Sequence, residues 1–217
     1  MLKPVSADEP LFSISPDTAT EILKRQLKEA EEKLSRLRML ENMINLRIEQ
    51  ITFGKEIAKS SVLPISVTEL KDDIPLYIGE EINCSLSDIT DGFIIDFYAR
   101  CEETGFPLIF SSGQIKSRES ITAGKTEIIS NMCFTLKEKS GANAVIPKGM
   151  YAVGYVHGDY GKTDGIYRQM LSYIEENGLE IIGNAYEEYL LDELAESFVM
   201  QVMIQVGPKK AIVNSPS

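Results

Sequence analysis

The chain has one histidine, three cysteines and no long apolar run, and each shortage excludes something. With His157 as the single imidazole, a histidine-based metal site or a Ser-His-Asp triad would rest on one residue, and neither is expected. Cys84, Cys101 and Cys133 stand far apart with no Cys-x-x-Cys spacing. An odd count without a framework suits a reducing cytoplasm, where cysteine acts as a small buried hydrophobe. No stretch is apolar for long enough to span a bilayer, and the opening MLKPVSADEP lacks the apolar centre of a signal peptide. Basic residues number 22 against 33 acidic ones, a formal charge of −11. Gripping phosphates needs clustered lysine and arginine, so the chain as given is not expected to hold nucleic acid. The acidic balance instead favours a cationic ligand wherever a carboxylate lines a pocket. Asp159 and Asp164 near Gly158 and Gly161 match no phosphate- or metal-loop spacing, and no cofactor is expected.

Proline and glycine are also missing between Asp17 and Phe53. Ser15-Pro16-Asp17 reads as a helix start: a capping hydroxyl, proline at the first helical position, and an acid at the positive end of the dipole. Counted from Leu23, the heptad seam is Leu23, Leu27, Ala30, Leu34, Leu37, Glu41, Ile44, Ile48 and Ile51, apolar at all but Glu41. Pairs such as Glu21–Arg25, Glu29–Lys33 and Glu32–Arg36 stand at i, i+4. At 1.5 Å per residue this helix would run roughly 55 Å. It either lies on its own domain or coils with a second copy of the chain; so narrow a leucine and isoleucine stripe favours the coil. Phe53-Gly54 is expected to end it, giving a lead over residues 1–14 and a dimerisation helix over 15–54.

Downstream, one pattern occurs twice. Thr90-Asp91-Gly92 heads an apolar-faced helix (Phe93, Ile94, Phe97, Tyr98, Cys101), and Thr163-Asp164-Gly165 heads another (Tyr167, Met170, Leu171, Ile174). Thr90 and Thr163 stand 73 residues apart, and so do Gly105 and Gly178. Strand-like runs precede and follow each helix: the first copy is followed by Leu108 to Lys116, the second by Ile181 to Leu191. Ile65–Leu70, Thr126–Leu136 and Phe198–Val206 read as further strands, with an acidic loop at Asp192–Ser197. A fixed offset implies two related halves. The expected class is α+β, a duplicated β-α-β-β over residues 62–206 with halves of about 62–140 and 147–206, followed by a tail at 207–217.

Three segments, Gly149-Met150-Tyr151-Ala152-Val153, His157-Gly158-Asp159-Tyr160 and Glu187-Glu188-Tyr189, come in an order and spacing that resembles the GyrI-like effector-binding domain. With the coil before it, the chain resembles multidrug-sensing MerR-family transcription regulators over about residues 15–206. Those regulators carry a winged helix-turn-helix ahead of the coil, for which this sequence has no room, so DNA contact is expected only through a domain absent here. The resemblance implies a homodimer and a groove between the two halves that takes a lipophilic, cationic small molecule.

Glu187 would sit at the base of that groove, with Tyr189, Tyr151 and Tyr160 as aromatic walls. A buried carboxylate awaits a proton or a cation, and aromatic faces attract cations. Tyr77 is the counterpart of Tyr151, and the offset gives Gln114 as the counterpart of Glu187, so one half would offer a carboxylate and the other a neutral amide. Tyr155, Tyr167 and Tyr173 are assigned to packing. A one-residue slip would exchange Glu187 with Glu188; the motif selects Glu187 and leaves Glu188 to solvent. The alternative is a hydrolase in which Glu187 and Tyr189 act as base and acid; a coil is an odd attachment for such an enzyme. A plainer reading is a protein–protein adaptor. If Glu187 is the site, Glu187→Gln weakens hydrophobic-cation binding far more than Glu188→Gln.

Overall fold

The computed structural model describes residues 15–60, 64–103, 113–158, 164–191 and 198–209. The chain divides into two compact units, Met1–Arg38 and Met39–Ser217. One helix, α1 (Pro16–Lys59), supplies the described part of the first unit and opens the second. Ser15 caps it, its Oγ accepting from the Thr18 N–H at 3.2 Å.

In the first unit the seam leucines are open to solvent: Leu23 is 63%, Leu27 60%, Leu34 48% and Leu37 62% exposed. Ile44 and Ile48 continue that exposed row in the second unit, and Ile51 packs instead beside Leu190, Leu191 and Val199.

The expected stop at Phe53-Gly54 does not occur; the helix continues to Lys59. Gly54 serves close packing rather than termination. A Cβ built there would lie 2.9 Å from Leu191 Cγ and 3.0 Å from Leu190 Cβ. The face bearing Met43, Arg47 and Gly54 is buried, about a turn between each of the first pair and two turns to the third.

The rest of the second unit is β1 (Ser66–Leu70), β2 (Ile74–Ser85), α2 (Asp91–Glu103), β3 (Gly113–Lys116), α3 (Arg118–Thr122), β4 (Ile128–Thr135), β5 (Ala144–Ile146), β6 (Gly149–Gly158), α4 (Asp164–Glu176), β7 (Leu179–Leu191) and β8 (Phe198–Pro208). The short elements α3 and β5, and a 3-10 turn at Leu86–Asp88, fall where no element was expected. Ser117 caps α3 by accepting from the Ser120 N–H, and β5 pairs with β2. Strand β8 also runs two residues beyond the expected tail boundary. The capping signals hold where they are described: Thr90 Oγ1 accepts from the Phe93 N–H at 3.3 Å, and Gly178 takes φ +67 after α4. The turn at Tyr160, the cap at Thr163, the acidic loop and most of the tail lie outside the described residues.

Among the described residues eight strands form one sheet in the order β1-β6-β8-β7-β3-β4-β2-β5, every neighbour antiparallel. The fold is therefore α+β. Helices α2 and α4 each span thirteen residues and lie on one face. Tyr167, Met170 and Ile174 of α4 pack on Ala152, Ala185, Val202 and Ile204; Phe97 and Cys101 of α2 pack on Met132 and Phe134. The opposite face carries Leu76, Ile115, Cys133, Ile146, Tyr151, Val153, Tyr186 and Met203 in one cluster. That cluster joins strands from the two ends of the sheet order, so the sheet curls around it.

Overpacking a tight contact costs about 1–3 kcal/mol, whereas replacing an interior helical glycine ordinarily gains up to about 1 kcal/mol. Gly54→Val is therefore expected to lower stability by about 2 kcal/mol, read as a fall in the thermal midpoint. An unchanged or raised midpoint would show that α1 does not press on Leu190 and Leu191.

Candidate functional site

The concave face encloses a cavity of about 280 Å³, lined by Leu70, Leu76, Cys133, Thr135, Tyr151, Val153, Tyr155, Tyr186, Glu188, Gln201 and Met203 among others. Strand alternation explains the membership. In β6 the residues 151, 153 and 155 share a face, and their register partners in β8 are Gln205, Met203 and Gln201. Tyr186 and Glu188 oppose Met203 and Gln201 in turn, so they point to the same side. Among the described residues lining the cavity none is basic.

Glu188, set aside from the sequence as solvent-facing, is half-buried and bonded. Gln50 Nε2 donates to its Oε1 at 2.7 Å, and Thr135 Oγ1 donates to the same oxygen. Burial raises the carboxyl above its ordinary value; the donors Thr135 and Gln50 and the nearby charge of Arg47 work against that shift.

Glu187 borders the cavity but its carboxylate leaves the strand on the other face. It is 2% exposed. Lys116 Nζ lies 2.9 Å from its Oε1, and the Tyr167 hydroxyl of α4 donates to it at 2.9 Å. Lys116 also donates to the Thr126 carbonyl and sits 4.7 Å from the centre of the Tyr167 ring. Burial, together with the neighbouring Glu187, pushes the Tyr167 hydroxyl well above its ordinary value. The carboxylate is thus neutralised inside the protein on the helix side. The physical reason is the period of two along a strand: choosing the wrong member of Glu187-Glu188 exchanges core and cavity.

The other expected site residues divide in the same way. Tyr151 lines the cavity, fully buried, and its hydroxyl donates to the Pro147 carbonyl at 2.6 Å. Gln114 stands opposite Glu187 across β3 and β7, and its side-chain amide donates to the Tyr189 hydroxyl at 2.6 Å. Tyr189 packs in the α4 cluster. Tyr77 stacks on Phe134 at 5.6 Å, in the α2 cluster. Glu187 and Tyr189, the pair a hydrolase would use, therefore both belong to the helix side of the sheet. Tyr160 lies outside the described residues.

Sequence reasoning missed Tyr155, Tyr186, Thr135 and Gln50. Tyr155 meets Phe53 of α1 edge-on at 5.8 Å and accepts from Gln201 Nε2 at 3.2 Å. Tyr186 lies 6.3 Å from Tyr151, ring to ring. Their signal was available: 151, 153, 155 and 186, 188 each keep the strand period. Among the described residues no group of three or more His, Cys, Asp or Glu side chains gathers as a metal site, and no helix is long and apolar enough to cross a membrane.

No family model matches the chain. A curated relative, the multidrug-efflux transporter 2 regulator of Bacillus subtilis, is 29% identical over 205 residues, spanning 88% of this chain and 70% of that protein. Among solved structures, EcmrR in its DNA complex matches 87% of this chain and 72% of its own at a TM-score of 0.52 and 14% identity. The isolated EcmrR C-terminal domain matches 68% of this chain and 99% of its own, again at 0.52, with 11% identity. Together they bear out the resemblance to MerR-family regulators with an effector-binding domain.

Removing one partner of a buried ion pair costs about 3–5 kcal/mol, whereas replacing both with apolar groups is often neutral. Lys116→Met is expected to cost about that much in chemical denaturation, and Lys116→Met with Glu187→Leu to recover most of it. A single variant as stable as the parent would show that the pair is not closed within the core.

Proposed function

We propose, from this likeness in sequence and fold to MerR-family multidrug regulators, that the chain dimerises and binds an effector in such a regulator. The effector is a lipophilic, cationic small molecule held in the cavity, with Glu188 as its counter-charge. One observation carries the reading: a half-buried carboxylate whose ionisation is disfavoured by burial faces a largely apolar, aromatic cavity in which no described lining residue is basic. A cation there adds opposite charge on the cavity side of Glu188, and Tyr151, Tyr155 and Tyr186 supply aromatic surface.

The same reading takes the effector domain as two β-α-β-β halves. Helices α2 and α4 have equal length and a 73-residue offset. The sheet places β3 beside β7 at its centre, with β4 and β8, then β2 and β6, at corresponding distances outward. Gln114 and Glu187 meet across that central pair. The open leucine row of α1 supports a coil with a second copy, and in a complete regulator DNA contact belongs to a helix-turn-helix domain.

Two experiments test these parts. Truncating one partner of a buried charge pair costs about 2 kcal/mol or more. Glu188→Gln should therefore weaken tetraphenylphosphonium binding roughly thirtyfold or more in calorimetric titration, while Glu187→Gln acts on stability. The reverse ranking would return the site to Glu187. For the coil, Leu27→Lys with Leu34→Lys is expected to convert the dimer to a monomer in sedimentation analysis; an unaltered dimer would move the interface elsewhere.

A further inference from the structure

We propose that Gln50 of α1 is a positioning residue of the cavity: its side-chain amide ties the Glu188 carboxylate to the helix, so that a cation in the cavity is registered by α1. This rests on the cavity being a cation site, as proposed above, and assigns the group that connects that site to the helix.

The geometry is specific. Gln50 and Thr135 both donate to Oε1 of Glu188, so among the described residues both bonds fall on one oxygen. A turn earlier on the same helix, Arg47 donates from one guanidinium nitrogen to the carbonyls of Tyr189 and Leu190 at 2.9 and 3.2 Å. A turn later, Gly54 brings the helix backbone against Leu190 and Leu191. Helix α1 thus holds β7 at residues 188, 189, 190 and 191 in succession. Of these contacts, the one to 188 ends on a side chain that faces the cavity.

A hydrogen bond to a carboxylate is roughly twice as strong as one to a neutral acceptor. A cation in the cavity favours the ionised form of Glu188 and so strengthens the Gln50 bond, docking α1 more firmly. Coupling is reciprocal, so a helix that holds Glu188 ionised raises affinity for a cation and not for a neutral molecule of similar shape. A packing contact alone would not discriminate between the two.

The test uses the full chain, with tetraphenylphosphonium as the cation and triphenylphosphine oxide as a neutral comparison, titrated calorimetrically. Loss of a hydrogen bond to a charged group corresponds to roughly a tenfold change. Gln50→Met is expected to weaken the cation by that factor, to leave the neutral compound within about twofold, and to add no further loss in a Glu188→Gln background. Equal weakening of both probes, an unchanged cation affinity, or a full additional loss beside Glu188→Gln overturns the proposal. Should Glu188→Gln itself leave the cation unaffected, the cavity reading fails and takes this one with it. Should Glu188→Gln weaken binding and Gln50→Met not, only the present proposal falls. If Gln50→Met does not fold, hydrogen exchange on the unaltered chain decides: amides of residues 43–54 should be protected by the cation and not by the neutral compound, and equal protection by both overturns the assignment.

Discussion

Successive side chains of an extended strand leave it on opposite faces, and in β7 this constraint sets two carboxylates back to back. One enters a core in which Lys116 and Tyr167 meet it directly. The other enters a cavity where Gln50 and Thr135 donate to it, with aromatic surface and, among the described residues, no lysine or arginine in the lining. A carboxylate removed from water is costly unless opposite charge and hydrogen-bond donors offset it. The two positions resolve that cost differently: internally at Glu187, and at Glu188 by a raised pKa that leaves room for an outside charge. Everything inferred about a ligand depends on this division.

Helix α1 shows how one element can serve two purposes. Its exposed row is leucine and isoleucine at heptad spacing, suited to another helix. Within the second unit a different side of the same helix is buried, where Met43 joins Phe97, Met132 and Phe134 and Arg47 meets the end of β7. Asn42 and Glu49 add side-chain contacts to Glu138 and Lys137 just past β4. The helix is therefore part of the second unit's own packing as well as a coil candidate.

Local signals were legible wherever they have local causes. Ser15, Thr90 and Gly178 mark helix ends because capping is decided within one turn. The 73-residue offset singled out Gln114 as the counterpart of Glu187, and the two are register partners across β3 and β7, a pairing the offset alone does not specify. What was not legible depends on which side of the sheet is covered. Nothing in Glu187-Glu188-Tyr189 says that α4 covers the face of the first and third residues. Gly54 misled for a related reason: glycine ends helices by its freedom of φ, but it also admits a neighbour by its lack of a side chain, and only the packing of Leu190 and Leu191 selects the second role.

The most direct measurement of the central claim is crystallographic location of an arsenic-bearing lipophilic cation, tetraphenylarsonium, by its anomalous scattering. The account predicts a peak inside the curl of the sheet, among Tyr151, Tyr155, Tyr186 and Glu188. A peak on the α4 side next to Glu187 and Lys116, or none in the cavity under saturating conditions, would contradict it.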